Sequence, residues 1–165
     1  MKYYAVIDTN VIVSALLSKN QDSATVKNVF KIFDKTIIPI FSKEIIAEYS
    51  EVLSRGKFKN MFSAKNVHKV IKMILDNGIE LSGIQTEEKP SDPKDVIFYE
   101  VTMDSRQTQD TFIVTGNIKD FPIKPFIVTP KEMVEILEKD KNRFVAYKNI
   151  WNQNGALFFF PKIFL

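Results

Sequence analysis

Short apolar runs alternate with stretches of helical period along most of the chain. Tyr3–Ile7 is a continuous apolar run that predicts a buried strand, and Asp8-Thr9-Asn10 follows at its C-terminal end. Residues 11–17 and 24–33 predict two short helices, and the β-branched, apolar residues 36–41 a second strand. Ser42 suits the N-cap of a helix over 43–54, with Ile45, Tyr49, Val52 and Leu53 as its buried stripe. A further helix over 64–77 carries Val67, Val70, Ile71, Ile74 and Leu75, with Gly78 placed at the C′ position. Residues 79–81 predict a short strand, and the polar, turn-rich residues 85–93 a loop. Asp92-Pro93-Lys94-Asp95 opens the next helix, with Pro at its first position. Residues 111–114 and 126–128 predict the last strands. Thr129-Pro130-Lys131-Glu132 is a capping box that starts a final helix ending near Lys139.

Alternating strands and helices imply a parallel sheet covered on both faces. No repeat or linker divides the chain into two full domains. The expected organisation is one domain over residues 1–140 and an apolar extension over 141–165. That extension holds Ile150-Trp151 and the run from Leu157 to Leu165, which would promote aggregation if left exposed. It is expected to pack on its own domain or on a dimer mate. The sharper alternative is a partner-binding surface.

Composition narrows the chemistry. With 165 residues, 45 % of them apolar and fourteen Phe, the chain fills one core and is not disordered. A net charge of +3 tolerates nucleic acid without singling it out. Arg occurs only at 55, 106 and 143; the abundant Lys serves phosphate as a point charge, so sequence-specific duplex recognition is not indicated. There is no Cys, hence no disulfide, thiolate zinc site or Cys nucleophile. His68 is the only His, which leaves no Ser-His-Asp triad, and the five Gly form neither a P-loop nor a GxGxxG turn. No signal-like h-region or membrane-length apolar run is visible, so the cytoplasm is the expected compartment.

The strongest chemical signal is the placement of acids. Ligand sites in open parallel sheets lie at the C-terminal ends of strands. Asp8 follows the first strand, Asn117 and Asp120 follow the strand over 111–114, and Asp92 and Asp95 stand at the helix start before it. At about 100° per residue, Glu48 falls at the edge of its helix's buried arc, near Val52. Each acid has an ordinary reading: Asp8 as a helix cap, Asp95 as a first-turn helix acid, Glu48 as a snorkelling surface residue, Asp120 as a turn acid. The combination carries the argument. Carboxylates held together repel, so some bind protons or a cation does. Oxygen donors without Cys or a His cluster point to Mg²⁺ or Mn²⁺ rather than Zn²⁺, and such ions suit phosphodiester hydrolysis. Thr9, Asn10, Thr115 and Asn117 are placed to orient waters or phosphate oxygens around the acids.

These pieces resemble the PIN domain and, within it, the VapC-like toxins of bacterial toxin–antitoxin pairs. The matching segments are Ala5-Val6-Ile7-Asp8-Thr9-Asn10, Ser42-Lys43-Glu44-Ile45-Ile46-Ala47-Glu48-Tyr49 with Val52-Leu53-Ser54-Arg55, Asp92-Pro93-Lys94-Asp95, and Val114-Thr115-Gly116-Asn117-Ile118-Lys119-Asp120-Phe121-Pro122, closed by Val128-Thr129-Pro130-Lys131-Glu132. Their order and spacing agree over residues 1–140. The resemblance implies a three-layer α/β/α sandwich around a mostly parallel sheet and a metal-dependent ribonuclease site. Asp8, Glu48 and Asp95 would bind the metal, with Glu100 a weaker candidate. Many PIN domains carry Asp where this chain has Asn117; some relatives have an acid three residues on, here Asp120. That departure bears on a second metal more than on the fold. An RNA substrate, a small antitoxin, a homodimer and no membrane are implied too, with Lys19, Lys43, Arg55, Lys57 and Lys59 as cations to hold RNA. The alternative is a catalytically silent PIN-like module that binds RNA or a protein partner. A DNA structure-specific nuclease is weaker, and a phosphatase lacks its second Asp after Asp8.

Overall fold

The structure, a computed structural model, describes residues 2–58, 61 and 63–154, apart from the side chains of residue 57 and residues 143–154. The chain divides into two compact units, Met1–Val134 and Glu135–Leu165. The apolar run from Leu157 to Leu165, expected to dock, lies outside the described residues.

The first unit holds a five-stranded sheet formed by β1 (Tyr3–Ile7), β2 (Ile37–Phe41), β3 (Ile79–Glu80), β4 (Thr111–Val114) and β5 (Ile127–Val128). The strand order is β3-β2-β1-β4-β5, and every pairing is parallel. Parallel neighbours need crossovers: α1 (Thr9–Leu17), α2 (Ala24–Phe33), α3 (Lys43–Ser54), α4 (Ala64–Asn77) and α5 (Val96–Ser105) carry the chain up to β4, and a 3₁₀ turn at Ile118–Asp120 lies between β4 and β5. The result is the expected three-layer α/β/α sandwich. Its centre is β1, where Ala5, Val6 and Ile7 are buried beside Ile113 and Val114 of β4. Tyr49 of α3, Phe98 and Tyr99 of α5 and Ile12 of α1 are fully buried as well. Each such fully buried side chain contributes about 1.5–3 kcal/mol.

The order of strands decides where a ligand site forms. From β1 the chain winds outward through β2 and β3 on one side, and β4 and β5 occupy the other. The switch therefore falls between β1 and β4, and the crevice outside their C-terminal ends is the place for a ligand. Asp8 N–H donates to the Val114 carbonyl at 2.9 Å, so Asp8 and Thr115 emerge side by side at that crevice.

Most predicted elements appear within a residue or two of their expected bounds, with three differences. The segment from Asp92 first makes a 3₁₀ turn, Pro93–Asp95, and only then the helix α5. Gly78 follows α4 with φ −104°, not in the left-handed conformation of a C′ glycine. Its role is close approach: a Cβ there would lie 2.5 Å from the Pro39 carbonyl oxygen and 2.7 Å from that of Ile74. Lastly, α6 (Pro130–Asn154) continues well past Lys139. From residue 131 to 154 there is no Gly or Pro to stop it, and Gly155 comes next. Among the described residues, no helix is long and apolar enough to cross a membrane.

Candidate active site

Asp8 is 5 % exposed and held on three sides. Its Oδ1 accepts from the Asn10 backbone N–H at 3.1 Å, which makes it the N-cap of α1. Its Oδ2 accepts from Thr115 Oγ1 at 2.6 Å and from Asn10 Nδ2 at 2.7 Å. Helix capping and a place at the sheet's ligand end thus coincide in one carboxylate. Asn10 also reaches across the switch point, its Oδ1 accepting from Gly116 N–H at 3.1 Å. A Cβ on residue 116 would come within 3.2 Å of that oxygen, so Gly lets the Asn10 amide seat closely. Thr115 Oγ1 in turn accepts from Asn117 N–H at 2.9 Å.

Glu48 comes from α3, half-buried where the helical wheel sets it, and accepts from Thr9 Oγ1 at 2.6 Å. The next residue, Tyr49, is fully buried, and its hydroxyl donates to the Ile7 carbonyl. Asp95 ends the 3₁₀ turn and makes no capping hydrogen bond; Asp92 takes that role, accepting from Lys94 N–H at 2.9 Å. Asp95 thus keeps the first-turn place read from the sequence, while its carboxylate makes no capping bond. Asp120 ends another 3₁₀ turn, Ile118–Asp120, and its carboxylate accepts from Asn117 Nδ2. The Asp120 carbonyl accepts from Ser91 N–H at 2.7 Å, which ties the loop before Asp95 to that turn.

The four acids feel one another. Burial raises the carboxyl of Asp8 above its ordinary value, and the charge of Asp120 adds to the rise. Burial also raises Glu48, against the bond from Thr9 and helped by Asp8. Asp95 is pushed up to about 7, first by burial and then by Asp8, Asp92, Asp120 and Glu48 in turn. Asp8, Glu48, Asp95 and Asp120 thus form one electrostatic group drawn from four separate segments. Asp8 and Glu48 line a groove between α1 and α3, whereas Asp95, Asp120 and Glu100 do not.

The donor set fits a divalent cation. All donors are hard carboxylate oxygens, and their mutual repulsion is uncompensated around Asp95. Among the described residues, no three acidic or His side chains converge as a ready-made shell.

Beside the acids lies a groove of about 720 Å³, walled by α1 and α3. It receives Asp8, Thr9, Asn10 and Glu48. Glu44 and Glu51, which the helical wheel turns toward solvent, line it too, as does Lys94, which stands inside a motif whose acids draw the eye. Of the cations expected to hold RNA, Arg55 lines this groove, whereas Lys19 and Lys43 do not. The side chain of Lys57 and all of Lys59 lie outside the described residues.

The family model for the PIN domain matches residues 4–119. No curated protein and no solved structure matches the chain.

Proposed function

The chain belongs to the PIN-domain family, and from that premise we propose that it is an endoribonuclease using Mg²⁺ or Mn²⁺ held by Asp8, Glu48 and Asp95. PIN domains are typically nucleases and generally use divalent metal ions. The observation that carries the reading is Asp95, half-buried, repelled by four other carboxylates and spared from helix capping. Asp8, Glu48 and Asp95 would hold a divalent cation, which would supply a water of lowered pKa and offset charge on the leaving oxygen. The chain's own residues do the rest. Asn10 and Thr115 fix both oxygens of Asp8, and Thr9 fixes one oxygen of Glu48, so neither acid must reorient during turnover. Asp120 contributes its charge from the far side of the switch point. The groove has the size that holds a nucleotide or two of a single strand.

A second reading, a silent module that binds RNA or a partner, draws on Asn117. Its amide donates to Asp120 where many relatives have a carboxylate. A melting titration with Mg²⁺ and Mn²⁺, followed by cleavage of a mixed RNA pool, separates the two. Wild type should show saturable stabilisation and cleavage, and Asp8→Asn and Asp95→Asn should lose both. Binding of RNA without turnover, and no response to metal, would favour the silent module.

The toxin role, with a small antitoxin as partner and a homodimer as the working state, is part of the same proposal. Phe30 and Phe33 on α2, 58 % and 71 % exposed, support a face that meets protein. Light scattering that reads a monomer, together with harmless expression in a bacterial host, would remove this part.

A further inference from the structure

The groove beside the acids is negative on balance. Among the described residues that line it, Asp8, Glu44, Glu48 and Glu51 outnumber Arg55 and Lys94, four carboxylates to two cations, or −2. A polyanion entering it needs a local positive charge to settle against. The two cations differ in availability. Arg55 is engaged, its guanidinium 3.0 Å from Glu51 on the same helix. Lys94 is exposed, and among the described residues it makes no ion pair within 4 Å. Lys31, Lys43, Lys72 and Lys124 are also paired, with Asp34, Glu80, Asp76 and Glu88, and among the described lysines Lys94 is the one that lines this groove.

Local folding sets Lys94 in place. Asp92 caps the turn through the Lys94 N–H, and Pro93 fixes its first dihedral, so the turn Pro93–Asp95 brings Lys94 to the groove immediately before Asp95. It lies close enough to Glu48 for its charge to bear on that carboxylate. Resting on the ribonuclease reading, we propose that Lys94 is the phosphate-binding residue of this groove, seating the backbone of a single-stranded RNA next to Asp8, Glu48 and Asp95. A compact ammonium with three rotatable donors grips phosphate without reading bases, so Lys94 sets affinity and register but not sequence preference.

The test is binding of a fluorescein-labelled twelve-nucleotide RNA of mixed sequence to the full chain. It is run in Ca²⁺, with the probe checked for integrity on a gel, at several salt concentrations. Lys94→Ala should weaken binding about tenfold, equally across sequences. It should also lower the slope of log affinity against log salt by about 0.7, as expected for one lost single-strand phosphate contact. In Mg²⁺ the same variant should raise KM more than it lowers kcat. Lys94→Arg should retain most of the affinity, and Lys72→Ala, away from the groove, all of it. Wild-type affinity and salt slope in Lys94→Ala would overturn the assignment while leaving the ribonuclease reading intact. A changed metal midpoint with an unchanged salt slope would also overturn it, showing that Lys94 only offsets the acids. Failure of the wild type to bind or cut any RNA would reject the ribonuclease reading and this assignment together.

Discussion

The Tyr49 hydroxyl donates to the Ile7 carbonyl, joining the turn of α3 that carries Glu48 to the strand end that carries Asp8. Tyr49 is fully buried, so its bond is made without competition from water. Tyr49→Phe keeps the ring's packing but leaves the Ile7 carbonyl without that donor. Urea denaturation should show a loss of about 1–2 kcal/mol, and cleavage should fall with it as Glu48 loosens against Asp8. Unchanged stability and unchanged kcat would mean that the bond does not position the acids.

The raised carboxyls make a pH signature in chelated protein. Asp95 has an ordinary value of 3.8 when unfolded and about 7 when folded, so the native state holds the proton more tightly. Between those values the folded chain binds more protons than the unfolded one, and stability falls as pH rises through about 7. Asp8 and Glu48, also raised, act in the same direction. Melting of wild type minus Asp95→Asn, in EDTA, should therefore become less favourable from pH 5 to pH 8. Saturating Mg²⁺ should reverse the trend, because the ion binds deprotonated acids. A difference that stays level across this range would contradict the coupling.

Asn117→Asp places a fifth carboxylate against Asp120, in place of the amide that now donates to it. Metal-free protein should melt lower, from the lost bond and the added repulsion. At a fixed Mn²⁺ concentration, stabilisation should grow by about 1.4 kcal/mol for each tenfold gain in affinity. The same change in both metal-free and metal-loaded melting would show that residue 117 does not reach the ion.

Asn28 is wholly buried on α2, and its Nδ2 donates to the carbonyls of Ala24 at 2.7 Å and Pro130 at 2.8 Å. Asn28→Asp replaces those donors with an acceptor facing two carbonyls. The expected loss is about 3 kcal/mol or more, read from denaturant midpoints. A loss under 1 kcal/mol would indicate that the carboxyl is protonated and still donates.

Much of the architecture was legible because it is local. Strand runs such as Tyr3–Ile7, caps such as Ser42 and the box from Thr129 to Glu132 are decided within a few residues. The grouping of Asp8, Glu48, Asp95 and Asp120 was legible for a second reason, that a parallel sheet collects its strand ends on one side. What stayed hidden depends on contacts between distant segments. Gly78 is explained by the carbonyl of Pro39, thirty-nine residues earlier, and not by its own dihedral angle. The two-way amide of Asn10 needs the register that sets Ile7 beside Val114. Lys94 stands out only once the walls of the groove are known.

The bond from Thr115 to Asp8 spans 107 residues of sequence. A ribosome adds about 5–20 residues per second, so Asp8 waits several seconds or longer after its own synthesis for β4 to arrive beside it. Until then β1 lacks one neighbour, Asp95 and Asp120 are not yet in place, and the emerging chain has no assembled acid group. The candidate site is thus a late product of synthesis, closed only once the segment around Thr115 has followed β1 out of the ribosome by more than a hundred residues.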